Sequence, residues 1–241
     1  MKIAYFDCFS GISGDMILGA LMDLGVDRNF LIGELEKLNI MGYNFNVKKV
    51  EKNHITASDV YITVRQDEQH SRSFKDIKKL IDDSSLDNDI KDLSKKIFQR
   101  LAKAEGKVHN THVDNVHFHE VGAVDSIIDI VGSVIGLKKL GVVQVFCSKL
   151  PLGSGFVKCS HGIIPIPTPA TSELLRNIPV YQSDADHEMV TPTGAAVITT
   201  LADDFGKMPS MKIVKVGYGA GKIKSKMPGL LRVYIGELEN E

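Results

Sequence analysis

His117, His119 and Glu120 lie immediately ahead of an apolar segment that carries two more acids, Asp125 and Asp129. Residues two apart share a face of an extended strand, so the two imidazoles can converge. Residues four apart share a face of a helix, so the two carboxylates can converge as well. Such a set can bind a metal or do acid–base chemistry on a phosphorylated ligand. The competing reading pairs the acids with Lys or Arg in the core and leaves the histidines on the surface. What raises the chemical reading is that both spacings fall within one short stretch.

Two glycine-bearing turns offer a second kind of chemistry. In the first, Asp7-Cys8-Phe9-Ser10-Gly11-Ile12-Ser13-Gly14-Asp15, a strand ends, the chain turns and a helix begins. Free backbone amides at a helix start favour anions, and Ser10, Gly11, Ser13 and Gly14 are the candidate contacts. Asp15 opposes a bare phosphate but can hold a metal that bridges to one, or act as an acid or base. The alternative is plain capping, with Ser13 as N-cap. No Lys stands at the Walker A position, so this turn is not a P-loop. In the second turn, Thr191, Thr193 and Gly194 precede small residues, and His187 and Glu188 stand just upstream. It also reads either as an anion seat or as an ordinary capped helix. Cys159 and His161, two apart on an extended segment, could share a borderline metal; a buried Cys beside an exposed His is the commoner arrangement. Lys222, Lys224 and Lys226 alternate in a glycine-flanked loop and read as solvated, with contact to an anionic partner as the alternative.

The elements that must position these residues follow from periodicity. A strand is expected over residues 2–9 and helices over 15–24 and 30–38. Strands 43–50 and 54–64 form a hairpin through residues 51–53. A more charged subregion, 66–116, holds helices near 74–81 and 89–106. The segment 124–140 has almost no polar side, which predicts a buried helix, and Gly132 and Gly136 extend the Asp125/Asp129 stripe so that a backbone or ligand can approach. A strand over 142–148, an extended Pro-rich run 164–169, a helix from Thr168-Pro169 to Arg176, a helix 193–205 and strands 211–218 and 230–238 complete the chain. This pattern is mixed α/β (α+β-like), with helices packed on a mixed sheet, in one domain covering 1–241.

Composition bounds the rest. The 241 residues are 43% hydrophobic and 24% charged, with formal net charge -1. That is a globular composition with no global field for nucleic acid or an anionic membrane, so neither is an expected partner. No apolar run is long enough to span a bilayer and no signal pattern opens the chain. The three cysteines lack paired spacing and fit a reducing cytoplasm.

The stretches YFDCFSGISGDMILGALMDLG, HFHEVGAVDSIIDIVG, LPLGSGFVKCSHGIIPIPTPAT and DHEMVTPTGAA together resemble the LarC-type nickel insertion proteins. The resemblance implies a nickel chelatase of the lyase class. It would place nickel into pyridinium-3,5-bisthiocarboxylic acid mononucleotide and so complete the nickel-pincer cofactor of lactate racemase-type enzymes, using CTP with Mn or Mg. On these motifs the implied acid–base residues are Asp15, Asp125, Asp129 and Glu120. The implied metal ligands are His117, His119, His161 and Cys159, and the two turns, at the starts of the Asp15 and Gly194 helices, would meet at one cleft to seat a nucleotide that needs more than one anchor. Two departures stand out. Members often carry a His-rich stretch after the first hairpin, whereas residues 67–72 hold one histidine. Members also continue into a C-terminal part, associated with CTP, which becomes the expected partner; self-association stays open. Alone, the chain is then expected to bind nucleotide or metal weakly and not to consume CTP. The rival readings are a metal-dependent phosphohydrolase or nucleotidyltransferase and a noncatalytic nickel-carrier module.

Overall fold

A computed structural model describes residues 1–65, 72–118, 123–159, 162–223 and 227–238. Strand β1 (Lys2–Asp7) runs into α1 (Gly14–Asp23) and α2 (Arg28–Glu36). A long hairpin follows, β2 (Tyr43–Lys52) and β3 (Ile55–Val64), then β4 (Arg72–Ser73), α3 (Phe74–Asp83), α4 (Asn88–Val108) and β5 (His117–Phe118). Next come α5 (Val124–Lys139), β6 (Gln144–Cys147), β7 (Leu150–Leu152), β8 (Phe156–Cys159) and β9 (Gly162–Pro165). The chain then forms α6 (Pro169–Leu174), β10 (Val180–Gln182), α7 (Pro192–Leu201), β11 (Asp204–Phe205), β12 (Met211–Ala220) and β13 (Leu230–Leu238).

The main sheet has seven strands in the order β11-β6-β1-β13-β12-β3-β2. β1 runs parallel to β6 and antiparallel to β13, so the sheet is mixed, as its interspersed helices and strands imply. β12 and β3 meet through one pairing, Gly219 with Ser58. The hairpin turn is tighter than periodicity suggests. Asn53 and His54 both adopt positive φ, 49° and 63°, as a two-residue turn that follows the strand twist requires.

Helix α1 lies on the sheet against β12 and β3, and α5 packs on α1 from the far side while also touching α2, α4 and α7. The α1–β12 approach is close because Gly219 has no side chain. A Cβ there would overlap the Met16 carbonyl oxygen. Apart from Asp125 and Asp129, the α5 residues from Val124 through Leu137 are buried, as the apolar pattern demands. Its glycine stripe admits another helix. A Cβ on Gly132 would stand 2.9 Å from the Leu18 side chain, and one on Gly136 2.8 Å from Leu21. Along this seam Asp129 meets Gly14 at the very start of α1. In α4, Ile90, Ile97, Phe98 and Leu101 line a buried face at helical spacing.

Three elements depart from expectation. The run expected as one helix over 193–205 stops at Leu201, and Asp204–Phe205 joins the sheet edge beside β6. The first strand ends at Asp7 because Cys8–Gly11 closes a turn, with Gly11 N–H donating to the Cys8 carbonyl at 2.9 Å. The segment before the proline-rich run pairs as the β8–β9 hairpin, which has no alternating apolar signature: Phe156 and Ile163 are both 73% exposed. Among the described residues no helix is long and apolar enough to cross a membrane.

Candidate functional site

The two glycine-bearing turns meet. Ile12 N–H donates to the Met189 carbonyl at 2.8 Å and Thr191 N–H donates to the Ile12 carbonyl at 3.1 Å, a two-bond parallel bridge. The contact is too close for side chains. A Cβ on Gly11 would overlap Met189 O, and one on Gly194 would overlap Ile12 O. The starts of α1 and α7 are therefore locked side by side at one cleft of about 230 Å³.

Of the residues singled out in and beside the turns, Ser10, Ser13, Asp15, His187, Glu188 and Thr191 line this cleft. Gly11, Gly14 and Gly194 shape it by close approach, and Thr193 is buried behind it. The Ser13 hydroxyl donates to Asp15 and makes no cap bond to the helix backbone. Thr191 does cap its helix, its Oγ1 accepting from Gly194 N–H at 3.1 Å. The ordinary capping reading is thus realised at α7 but not by the α1 serine. Thr191→Ala should cost about 1 kcal/mol of stability, read as a lower midpoint in thermal unfolding; an unchanged midpoint would count against the cap.

The fourth wall comes from the loop between β12 and β13. Gly221, Lys222, Ile223 and Gly229 line the cleft. Gly229 N–H donates to Ser10 Oγ at 3.1 Å. Lys222 Nζ stands 3.4 Å from Asp15 Oδ2, donates to the Val60 carbonyl at 2.6 Å and pairs with Asp59. Lys52 donates to the Gly221 carbonyl at 2.5 Å, and burial pulls its ammonium below the usual lysine range. Of the two sequence readings of Lys222, solvated or available to an anion, the structure favours the second, since it faces the anion-suited turns. Lys224 and Lys226 lie outside the described residues.

Behind Asp15 sits Asp129. Its side chain abuts Gly14, and its Oδ1 is enclosed with no hydrogen-bond partner among the described residues. Burial raises its carboxyl well above the usual carboxylate range; the charges of Asp15 and Asp125 add to the rise and Lys222 opposes it. Asp125 differs from it. It is exposed, and its Oδ1 accepts from Ser126 N–H in its own helix at 2.8 Å. One helical face thus carries one enclosed and one exposed acid, because Asp125 stands in the first turn of α5 and Asp129 against α1.

The metal candidates are not gathered. His117 is exposed on β5, paired with Ser73, and its charge is felt by Asp76. Cys159 is half-buried at the end of β8. His119, Glu120 and His161 lie outside the described residues. Among those described, no group of three or more His, Cys, Asp or Glu could hold a metal. Cys8 and Cys147 are buried with their sulfurs 3.6 Å apart, and burial raises the Cys147 thiol. Sequence reasoning did not single out Lys52 or the Gly221–Gly229 wall. The only signal was the glycine-flanked lysine alternation.

These features define a mixed α/β protein whose cleft combines two helix starts, a lysine and a carboxylate pair. The chain belongs to the nickel insertion protein family, whose model matches residues 4–241. A relative from Dictyoglomus thermophilum is 52% identical over 239 residues, 99% of this chain and 61% of the relative. The pyridinium-3,5-bisthiocarboxylic acid mononucleotide nickel insertion protein of Desulfitobacterium hafniense is 47% identical over 241 residues, 100% of this chain and 60% of that protein. The protein of the same name from Acetivibrio thermocellus is 47% identical over 251 residues, 100% of this chain and 62% of its own length. The chain thus spans about three fifths of the length of these relatives. No solved structure matches it.

Proposed function

We propose that this chain takes part in inserting nickel into pyridinium-3,5-bisthiocarboxylic acid mononucleotide, yielding the nickel-pincer cofactor of lactate racemase-type enzymes. The observation that carries the reading is the single cleft where Ser10, Ser13 and Thr191 face Lys222, with Asp15 on the wall and Asp129 behind it. Hydroxyls, a helix start and one ammonium suit a monophosphate. The relatives from Desulfitobacterium hafniense and Acetivibrio thermocellus are named for a mononucleotide substrate.

Insertion replaces a ring hydrogen by nickel. The C–H bond between the two thiocarboxylates breaks, its electron pair bonds to Ni²⁺, and a base takes the proton, with no change of oxidation state. The Asp15–Asp129 pair is assigned as that base, because a carboxylate whose affinity for protons is raised is better matched to neutral pH. Nickel is cargo, held in transit by the substrate's sulfurs and by borderline donors among His117, His119, His161 and Cys159. Asp125 is proposed to assist from the first turn of α5, and Glu120 is proposed as a further acid or base on its sequence motif alone. The reaction is proposed to be of the lyase class, with CTP and Mn or Mg assigned to a separate C-terminal part, and to take place in the cytoplasm.

The test is reconstitution. Cofactor maturation is followed by activation of a lactate racemase-type apoenzyme, with this chain alone, with a separately expressed C-terminal part from a relative, and with both. Activity is expected only with both, and no CTP turnover with this chain alone. Robust CTP hydrolysis by the chain alone would overturn the division and favour a nucleotidyltransferase.

A further inference from the structure

A second, larger cavity of about 820 Å³ adjoins the cleft. His187 and Met189 line both spaces, so the two lie side by side as a narrow and a wide lobe that meet at these residues. The wide lobe differs in chemistry. Phe9 and Tyr181 supply aromatic surface, and Met189 and Met227 supply thioethers. Its charged lining groups, Asp184 and Asp186, are acidic and exposed. Among the described residues the narrow lobe has no Phe or Tyr lining; it carries the hydroxyls of Ser10, Ser13 and Thr191 and the ammonium of Lys222 beside two acids, Asp15 and Glu188.

The loop between them is well held. Ser154 N–H donates to the Ala185 carbonyl at 2.9 Å, and Ser183 N–H donates to the Leu152 carbonyl at 2.9 Å. A Cβ on Gly153 would overlap the His187 carbonyl, so this strand end and the loop touch backbone to backbone. The His187 Nδ1 lies 3.3 Å from Asp186 Oδ1. That leaves Nε2 as a donor atom at the junction of the lobes, the arrangement in which a carboxylate orients an imidazole toward a borderline metal.

The two lobes impose a polarity on whatever fills them. An anionic end belongs with Lys222, and a flat cationic end belongs between aromatic faces under an acidic rim. Polarizable sulfur in the ligand would find thioethers and aromatic edges around it. A phosphate alone leaves the wide lobe empty.

We propose that the Phe9–Tyr181–Met227 lobe seats the cationic aromatic ring of a pyridinium mononucleotide whose phosphate lies at Ser10, Thr191 and Lys222, with His187 beside the ring at the junction. This rests on the reading of the narrow cleft as the phosphate seat. The ring's polar substituents then lie near His187 and Met189, where metal must arrive.

Calorimetry on the intact chain tests the assignment with two probes, nicotinic acid mononucleotide and the ringless ribose 5-phosphate. The ring-bearing probe should bind at least about tenfold tighter. Tyr181→Ala should remove that margin and leave ribose 5-phosphate binding unchanged, while Tyr181→Phe keeps it. Lys222→Ala should weaken both probes by a similar factor. No margin in the wild-type chain, or a margin that survives Tyr181→Ala, overturns the ring seat and leaves the phosphate cleft standing. Binding of neither probe overturns both.

Discussion

Asp129→Asn should slow nickel insertion by about 10²–10⁴-fold, the range lost when a positioned proton acceptor is removed, while the fold gains stability at neutral pH. Asp129 is half-buried, its Oδ1 is enclosed with no partner among the described residues, and its proton affinity is raised by burial and by its acidic neighbours. A carboxyl raised in this way holds more protons in the folded chain than in the unfolded one. Folded stability therefore falls as pH rises from the unfolded value of about 3.9 to the raised folded value, and stays lowered above it. Asparagine carries no such charge. The variant should match wild type near pH 4 and exceed it by about 1 kcal/mol at pH 7–8. Thermal midpoints across pH measure the stability half. The rate, with the C-terminal part supplied in trans, measures the other. Parallel midpoint-versus-pH curves for the two proteins would remove the enclosed-charge account, and an unimpaired rate would remove the proton-acceptor role.

The second large effect concerns the sheet under α1. Gly219→Val should destabilise by about 3 kcal/mol or more, because its Cβ would occupy the space of the Met16 carbonyl oxygen and backbone cannot swing aside as a side-chain tip can. For a chain of this size that is a fall of about 6–12 °C in thermal midpoint. Gly33→Ala is the matched control. Gly33 is exposed in α2 and a Cβ there meets nothing within 4 Å. It should gain about 1 kcal/mol from helix propensity alone. A Gly219→Val midpoint equal to wild type would mean that α1 does not ride so close to β12.

Much of the scaffold was legible because it is written in local periodicity. The apolar stripe of α5, the buried face of α4 and the 43–64 hairpin each declare themselves within one segment. The misses have a common cause. β11 is two residues long and exists only because β6 offers an edge, so no pattern within 204–205 could announce it. The β8–β9 hairpin exposes its large apolar residues, which erases alternation. At the site, both turns could be read individually as helix starts. That they share one cleft was expected, because a mononucleotide needs more than one anchor, but the Ile12–Val190 bridge that joins them was not, since it runs through backbone atoms common to every residue type. The same limit hid Lys222, whose loop reaches the cleft only after β12 and β13 are laid beside β1 and β3. Gly132 and Gly136 were open to two readings, and the one realised is helix packing against Leu18 and Leu21.

The pairing of β1 with β13 bears on how the protein is made in the cell. Lys2 lies opposite Glu237 and Phe6 opposite Val233, so the first strand waits for the last before its second edge is covered. During synthesis β6 can cover one side once residue 147 has emerged, but the other edge of Ile3, Ala4, Tyr5 and Phe6 stays bare while the remaining residues are added. At about 5–20 residues per second that interval lasts on the order of several seconds. Those four residues are fully or almost fully buried in the finished fold, so the waiting edge is greasy as well as unpaired. A nascent chain stalled in that window presents a chaperone with its target, or another stalled chain with a template.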